Sequence, residues 1–120
     1  TADIGIVIIH EEPYAEGVGD RADLNLTAEQ VALIESVRAR SQRVAVLLLT
    51  GRPLIIADHL HLAEAWVACW WPGSEGLGVG EVIFGREPFS GRLPLDWPCA
   101  MGDIPTGDIL FPRGFGLSVT

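Results

Sequence analysis

Three stretches of the chain are apolar almost without a break: Ile4-Gly5-Ile6-Val7-Ile8-Ile9, Val44-Ala45-Val46-Leu47-Leu48-Leu49 and Ala65-Trp66-Val67-Ala68-Cys69-Trp70-Trp71. Short apolar runs bounded by turn residues read as buried strands. The first run shows no polar alternation, so a strand over 3–9 is expected to be buried on both faces, as in a parallel sheet. Further strands are expected over 43–49 and 65–71. Thr50-Gly51-Arg52-Pro53 and Pro72-Gly73 provide sharp exits from them.

Between the runs the apolar period becomes helical. Thr27 is an N-cap candidate, Gln30 completes a capping box, and Leu26 and Val31 are placed as a hydrophobic staple. Val31, Ile34 and Val37 share one face of a helix that should end near Ser41. Leu54-Ile55-Ile56 reads as a short extended piece, followed by a short helix capped by Asp58 and running to about Glu64. Ser74 opens another helix, to about Phe84, with Glu75 in the first turn where it suits the helix dipole. Gly76, Gly78 and Gly80 each cost that helix about 1 kcal/mol relative to alanine. They are therefore expected to serve close packing against a neighbour.

After Gly85 the texture changes, with Pro88, Pro94, Pro98, Pro105 and Pro112 spread through the remainder. Residues 91–97 read as an extended edge segment, where proline is tolerated. Residues 111–117 read as extended with turns. The alternation of strands and helices predicts an α/β fold: a three-layer sandwich with a mostly parallel sheet, right-handed crossovers and an irregular Pro/Gly-rich C-terminal region. Three strands make a thin sheet with two exposed edges. Either the prolines and the tail cover an edge, or further strands lie upstream, which is the favoured reading; the exposed edges could also pair two copies in a homodimer.

A chain of 120 residues allows one domain. Its 48% apolar content excludes a disordered chain. A net charge of −8 argues against nucleic acid or an anionic membrane as partner. No run approaches the roughly 18 to 20 apolar residues that span a bilayer. Cys69 and Cys99 form neither a metal spacing nor a disulfide framework, and Cys69 reads as a small buried hydrophobe. Compartment is not legible from this composition.

The candidate chemistry lies in the loop from His10 to Leu26, which carries Glu11, Glu12, Glu16, Asp20 and Arg21. It is expected to leave the carboxyl end of a central strand, where ligands bind in open α/β sheets. Gly17 and Gly19 would let it bend toward a partner surface. From the residues alone, Glu16 is either an exposed functional carboxylate or one charge in a solvated acidic loop. Asp20 and Arg21 are candidates for a pair that shapes the loop; exposed pairs contribute about 0 to 1 kcal/mol, so the role would be placement. His10, His59 and His61 make no metal set, because His59 and His61 point apart on a helix. Gly76-Leu77-Gly78-Val79-Gly80 lacks the dinucleotide-binding spacing. No metal or cofactor is expected. Strand alternation puts Trp66 and Trp70 on one face and Trp71 on the other, favouring core or interdomain packing over sugar stacking. Trp97 is open between these roles.

Several motifs recur together: Pro13-Tyr14-Ala15-Glu16-Gly17 with Gly19-Asp20 and Leu24-Asn25-Leu26; Thr50-Gly51-Arg52-Pro53; Trp71-Pro72-Gly73-Ser74-Glu75-Gly76; Ser90-Gly91-Arg92-Leu93-Pro94; and Phe111-Pro112-Arg113-Gly114-Phe115-Gly116-Leu117. In this order and spacing the chain resembles the C-terminal α/β sandwich domain of family 3 glycoside hydrolases, the β-glucosidase type. The resemblance implies that residues 1–120 are a single, partial C-terminal domain of a larger retaining β-glycosidase acting on terminal β-linked sugars. It implies an N-terminal TIM-like barrel as partner, carrying the aspartate nucleophile and most sugar contacts. Retaining glycosidases use two carboxyl groups about 5 to 5.5 Å apart, one a nucleophile and one a general acid/base. The resemblance maps the acid/base onto Glu16, with Glu12 and Glu11 as the next candidates because loop registers slip between homologues. Arg52 would either hold the neighbouring loop or face the barrel. The competing expectation is a non-catalytic α/β scaffold or interaction domain, inactive alone and able to associate through its sheet edges.

Overall fold

Thr27 starts the longest helix as its sequence dictates. In a computed structural model that describes residues 1–118, helix α1 spans Ala28–Arg38. The Thr27 hydroxyl accepts from the Gln30 amide at 3.2 Å, and the Gln30 side chain accepts from the Thr27 amide at 2.9 Å. Leu26 is buried and Val31 packs against the core, so the staple residues stand on the same side. The helix stops before Ser41, because Ser41 already pairs with Ala2 as the first residue of the next strand.

Strands β1 (Ala2–His10), β2 (Ser41–Leu49) and β3 (Ala65–Ala68) form a parallel sheet in the order β1-β2-β3. Gly5 faces Val44, Ile9 faces Leu48, and Val46 faces Trp66. The α/β class and the parallel sheet are as the sequence indicates. The central strand, however, is β2. β1 is an edge strand, and it buries alternate residues rather than all of them. Val7 and Ile9 are enclosed, whereas Ile4, Ile6 and Ile8 are 55%, 42% and 52% exposed. Helix α1 covers one face of β1 and β2, and no described element covers the isoleucine face. An all-apolar run cannot distinguish these cases, because both faces of this strand carry aliphatic residues.

The core lies on the α1 side. Val7 and Ile9 from β1, Val44, Val46 and Leu48 from β2, and Ile34 from α1 interlock there with Leu54, Ile56, Leu62 and Trp97. Burying such side chains contributes about 1.5 to 3 kcal/mol each before entropy is counted. The 54–56 segment is extended, as expected, and pairs through Ile55 with Asn25. The piece that follows is a 3-10 helix over Ala57–Leu62, and Asp58 does not cap it.

β3 is shorter than its apolar run. Trp70 has φ of 54°, a left-handed conformation that a bulky residue rarely adopts, and it ends the strand direction. Helix α2 spans Gly76–Ile83 without a side-chain cap; Ser74 hydrogen-bonds Glu75 instead. The expected close packing at its glycines is absent: a Cβ added at Gly76, Gly78 or Gly80 would meet no described atom within 4 Å. No residue of α2 is buried, and Leu77 and Phe84 project outward.

The tail does more than run along an edge. β4 (Trp97–Pro98) and β5 (Ile109–Phe111) pair antiparallel, and Leu93 exchanges backbone hydrogen bonds with Gly114 and Phe115. Trp97 drives this segment into the core, where its indole N–H donates to the Leu54 carbonyl at 2.8 Å. An apolar cavity of about 470 Å³ lies between β3 and the tail, walled by Trp66, Trp70, Trp97, Phe89, Phe111 and Phe115.

Candidate active site

The acidic loop begins where β1 ends. Glu11 continues the inward phase of Val7 and Ile9, so its side chain is carried into the protein rather than into solvent. Its amide still donates to Leu49 across the strand ends, at 3.2 Å. There it meets Thr50, the first residue beyond β2, and Arg52 two residues further. The Thr50 hydroxyl donates to Glu11 Oε2. Arg52 Nε donates to both carboxylate oxygens, at 3.1 and 3.3 Å, and Arg21 Nη1 donates to Oε1 at 2.8 Å. Burial favours the neutral acid and is the largest single influence on Glu11. The hydrogen bonds from Thr50, Arg52 and Arg21, with the Arg52 charge, together outweigh it and hold the pKa below the ordinary 4.5.

Arg52 connects this centre to the rest of the loop. Its Nη2 donates to the Gly19 carbonyl at 2.7 Å, and its guanidinium lies 4.1 Å from the centre of the Tyr14 ring. Tyr14 in turn meets Trp71 edge-on, with ring centres 5.9 Å apart. The ring is fitted between glycines. A Cβ at Gly51 would stand 2.5 Å from the Tyr14 hydroxyl and 2.6 Å from the Trp71 indole nitrogen, and one at Gly19 would collide with the ring itself. Gly19 therefore serves close approach, and of the two loop glycines it is Gly17, at φ 75°, that turns the chain.

That turn carries Glu16. The Val18 amide donates to the Glu16 carbonyl, Gly19 to Ala15 and Asp20 to Gly17, at 2.9, 3.0 and 3.1 Å. The Glu16 side chain points outward and has no hydrogen-bond or ion-pair partner among the described residues. Glu12 is also exposed. Arg21 pairs with Glu11 and not with Asp20, so the pair that shapes the loop is between its first turn and its far side. Arg52 bonds to the neighbouring loop through Glu11 and Gly19.

The tryptophans divide as their alternation suggests. Trp66 and Trp70 face the core and its cavity, Trp70 lying 6.1 Å from Trp97, while Trp71 turns to Tyr14. None of the cavity's lining residues belongs to the acidic loop, so this apolar cavity and the candidate catalytic group are separate. Among the described residues no three His, Cys, Asp or Glu side chains converge as a metal site. The structural role of Glu11 was legible in one signal that run-based reading overlooks: it shares the parity of Val7 and Ile9. The left-handed Trp70 has no sequence signal.

A model of the family described as "Glycosyl hydrolase family 3 C-terminal domain" matches residues 1–119. The chain belongs to glycosyl hydrolase family 3, as its C-terminal domain. Among the family 3 relatives, a lysosomal beta glucosidase of Dictyostelium discoideum is 34% identical over 87% of the chain. A beta-xylosidase of Formosa agariphila is 32% identical over 85%. The crystal structure of an exo-1,3/1,4-beta-glucanase from a Pseudoalteromonas species superposes with a TM-score of 0.82 and 37% identity over 96% of the chain. The chain spans only 13%, 17% and 21% of these three proteins.

Proposed function

We propose that this domain supplies the general acid/base carboxylate, Glu16, of a retaining β-glycosidase whose nucleophile lies in a barrel domain outside these residues. The observation that carries the reading is the contrast between two carboxylates of one loop. Glu11 is enclosed and bound by two arginines and a hydroxyl. Such a group is held ionised and has no free face for a substrate. Glu16 stands at the head of a turn anchored to the ends of the parallel strands, with its oxygens uncommitted. Glu12 is exposed but precedes the anchored turn.

An isolated surface carboxylate is a poor general acid near neutral pH, because an acid needs burial or a like-charged neighbour to keep its proton. In this reading a docked barrel provides both, closing over the turn and bringing its aspartate to about 5 to 5.5 Å. Relatives of nearly equal identity are named for glucose and for xylose. In this reading the barrel selects the sugar and this domain contributes proton transfer.

In the enzyme that carries this domain, Glu16→Ala should slow hydrolysis of alkyl β-glycosides by roughly 10²- to 10⁴-fold, the usual contribution of general acid–base catalysis. Glycosides with a dinitrophenolate leaving group need no protonation and should form the glycosyl-enzyme at near wild-type rate. Unchanged turnover of alkyl glycosides would rule out Glu16 in this role.

A further inference from the structure

The turn that presents Glu16 is well formed within itself but thinly attached to the scaffold. Its own hydrogen bonds, Gly19 to Ala15 and Asp20 to Gly17 among them, shape it without fixing it to anything. The loop's ends are tied elsewhere: Gln30 Nε2 donates to the His10 carbonyl at 3.1 Å, and the Ile55 amide donates to Leu24 at 2.9 Å. Between those ends, among the described residues, the side chains of Trp71, at the Tyr14 ring edge, and Arg52 reach the turn from the scaffold. Arg52 lies three residues past the end of the central strand and uses three directions of one planar group.

We propose that Arg52 is the positioning residue of the acid loop: by engaging the Glu11 carboxylate, the Gly19 carbonyl and the Tyr14 ring together, it holds the turn, and with it Glu16, in one conformation. The catalytic half of this inference rests on the reading of Glu16 given above; the holding of the turn does not. Only a guanidinium meets the geometry. Its rigid fork directs Nε and Nη2 to separate acceptors while its face remains free for an aromatic ring. A lysine ammonium at the same place could satisfy one acceptor and not the others. Arg21 does not duplicate the function: its ion pair is with Glu11 alone, and it belongs to the loop itself.

The test is made on the whole chain, labelled with ¹⁵N, as wild type, Arg52→Met, Arg52→Lys and Tyr14→Leu. In the wild type the amides of Gly17, Val18 and Gly19 should have order parameters near the rigid value of about 0.85. In Arg52→Met they should fall below about 0.6, while Val46 and Leu48 in the central strand keep the rigid value. Arg52→Lys and Tyr14→Leu should fall between the two. A turn as rigid in Arg52→Met as in the wild type overturns the inference; so does equal loosening of turn and strand, which would mark a merely structural residue. In the enzyme that carries the domain, Arg52→Met should slow alkyl glycosides about a hundredfold, the scale of a misplaced catalytic group, and dinitrophenyl glycosides far less. Equal slowing of both substrates also overturns it. If Arg52→Met loosens the turn but Glu16→Ala spares alkyl glycosides, the acid/base reading falls and the anchoring of the turn stands.

Discussion

Glu11 and Glu16 share one loop and have opposite surroundings, and the difference has a pH signature. The folded-state pKa of Glu11 lies below its ordinary value of 4.5. Its carboxylate therefore contributes stability above pH 4.5, and the contribution is lost as pH falls past 4.5 and through the lower folded-state value. Glu11→Gln should lower stability at pH 7 by about 2 kcal/mol, the scale of hydrogen bonds to a charged group. The gap between variant and wild type should close toward pH 3, and urea unfolding across that range measures it. A gap independent of pH would mean that the two arginines do not bind an ionised Glu11. The candidate acid was legible in the sequence through its motif. Its anchor was not, because Glu11, Thr50 and Arg52 meet only when two strand ends lie side by side.

Local signals fixed α1 well and α2 poorly. The capping box, the staple and the apolar face of α1 all act within one or two turns, so sequence spacing is enough to read them. Thr27→Ala should cost about 1 kcal/mol. The glycines of α2 suggested a close neighbour, yet nothing described approaches them. Gly78→Ala should then meet no clash and stabilise α2 by up to about 1 kcal/mol through helix propensity. Thermal unfolding of both variants checks the pair, and a destabilised Gly78→Ala would show that α2 is packed in solution. The strands show the same division. Their existence follows from apolar runs, but the shortening of β3 follows from the backbone of Trp70, and the β4–β5 ribbon from long-range pairing around Trp97. The open isoleucine face of β1 belongs with this group, since burial depends on layers that a run of residues does not report.

At the scale of the whole molecule, the proposal makes this domain one side of a divided catalytic site. It has a core of its own, built around Ile34, Val46 and Leu48, and a family 3 assignment over nearly its full length. It spans between 13% and 21% of the three relatives compared above. Its acidic loop is anchored, its candidate acid is outward and uncommitted, and its apolar cavity lies elsewhere. The most direct measurement is hydrolysis of an aryl β-glucoside by the purified chain, alone and mixed with a separately produced family 3 barrel domain. The account predicts no turnover from the chain alone and turnover above that of the barrel on mixing; with an alkyl β-glucoside in the same mixture, Glu16→Ala should abolish that gain. Turnover by the chain alone, once contamination is removed, would contradict it, because both carboxylates would then have to lie within these residues.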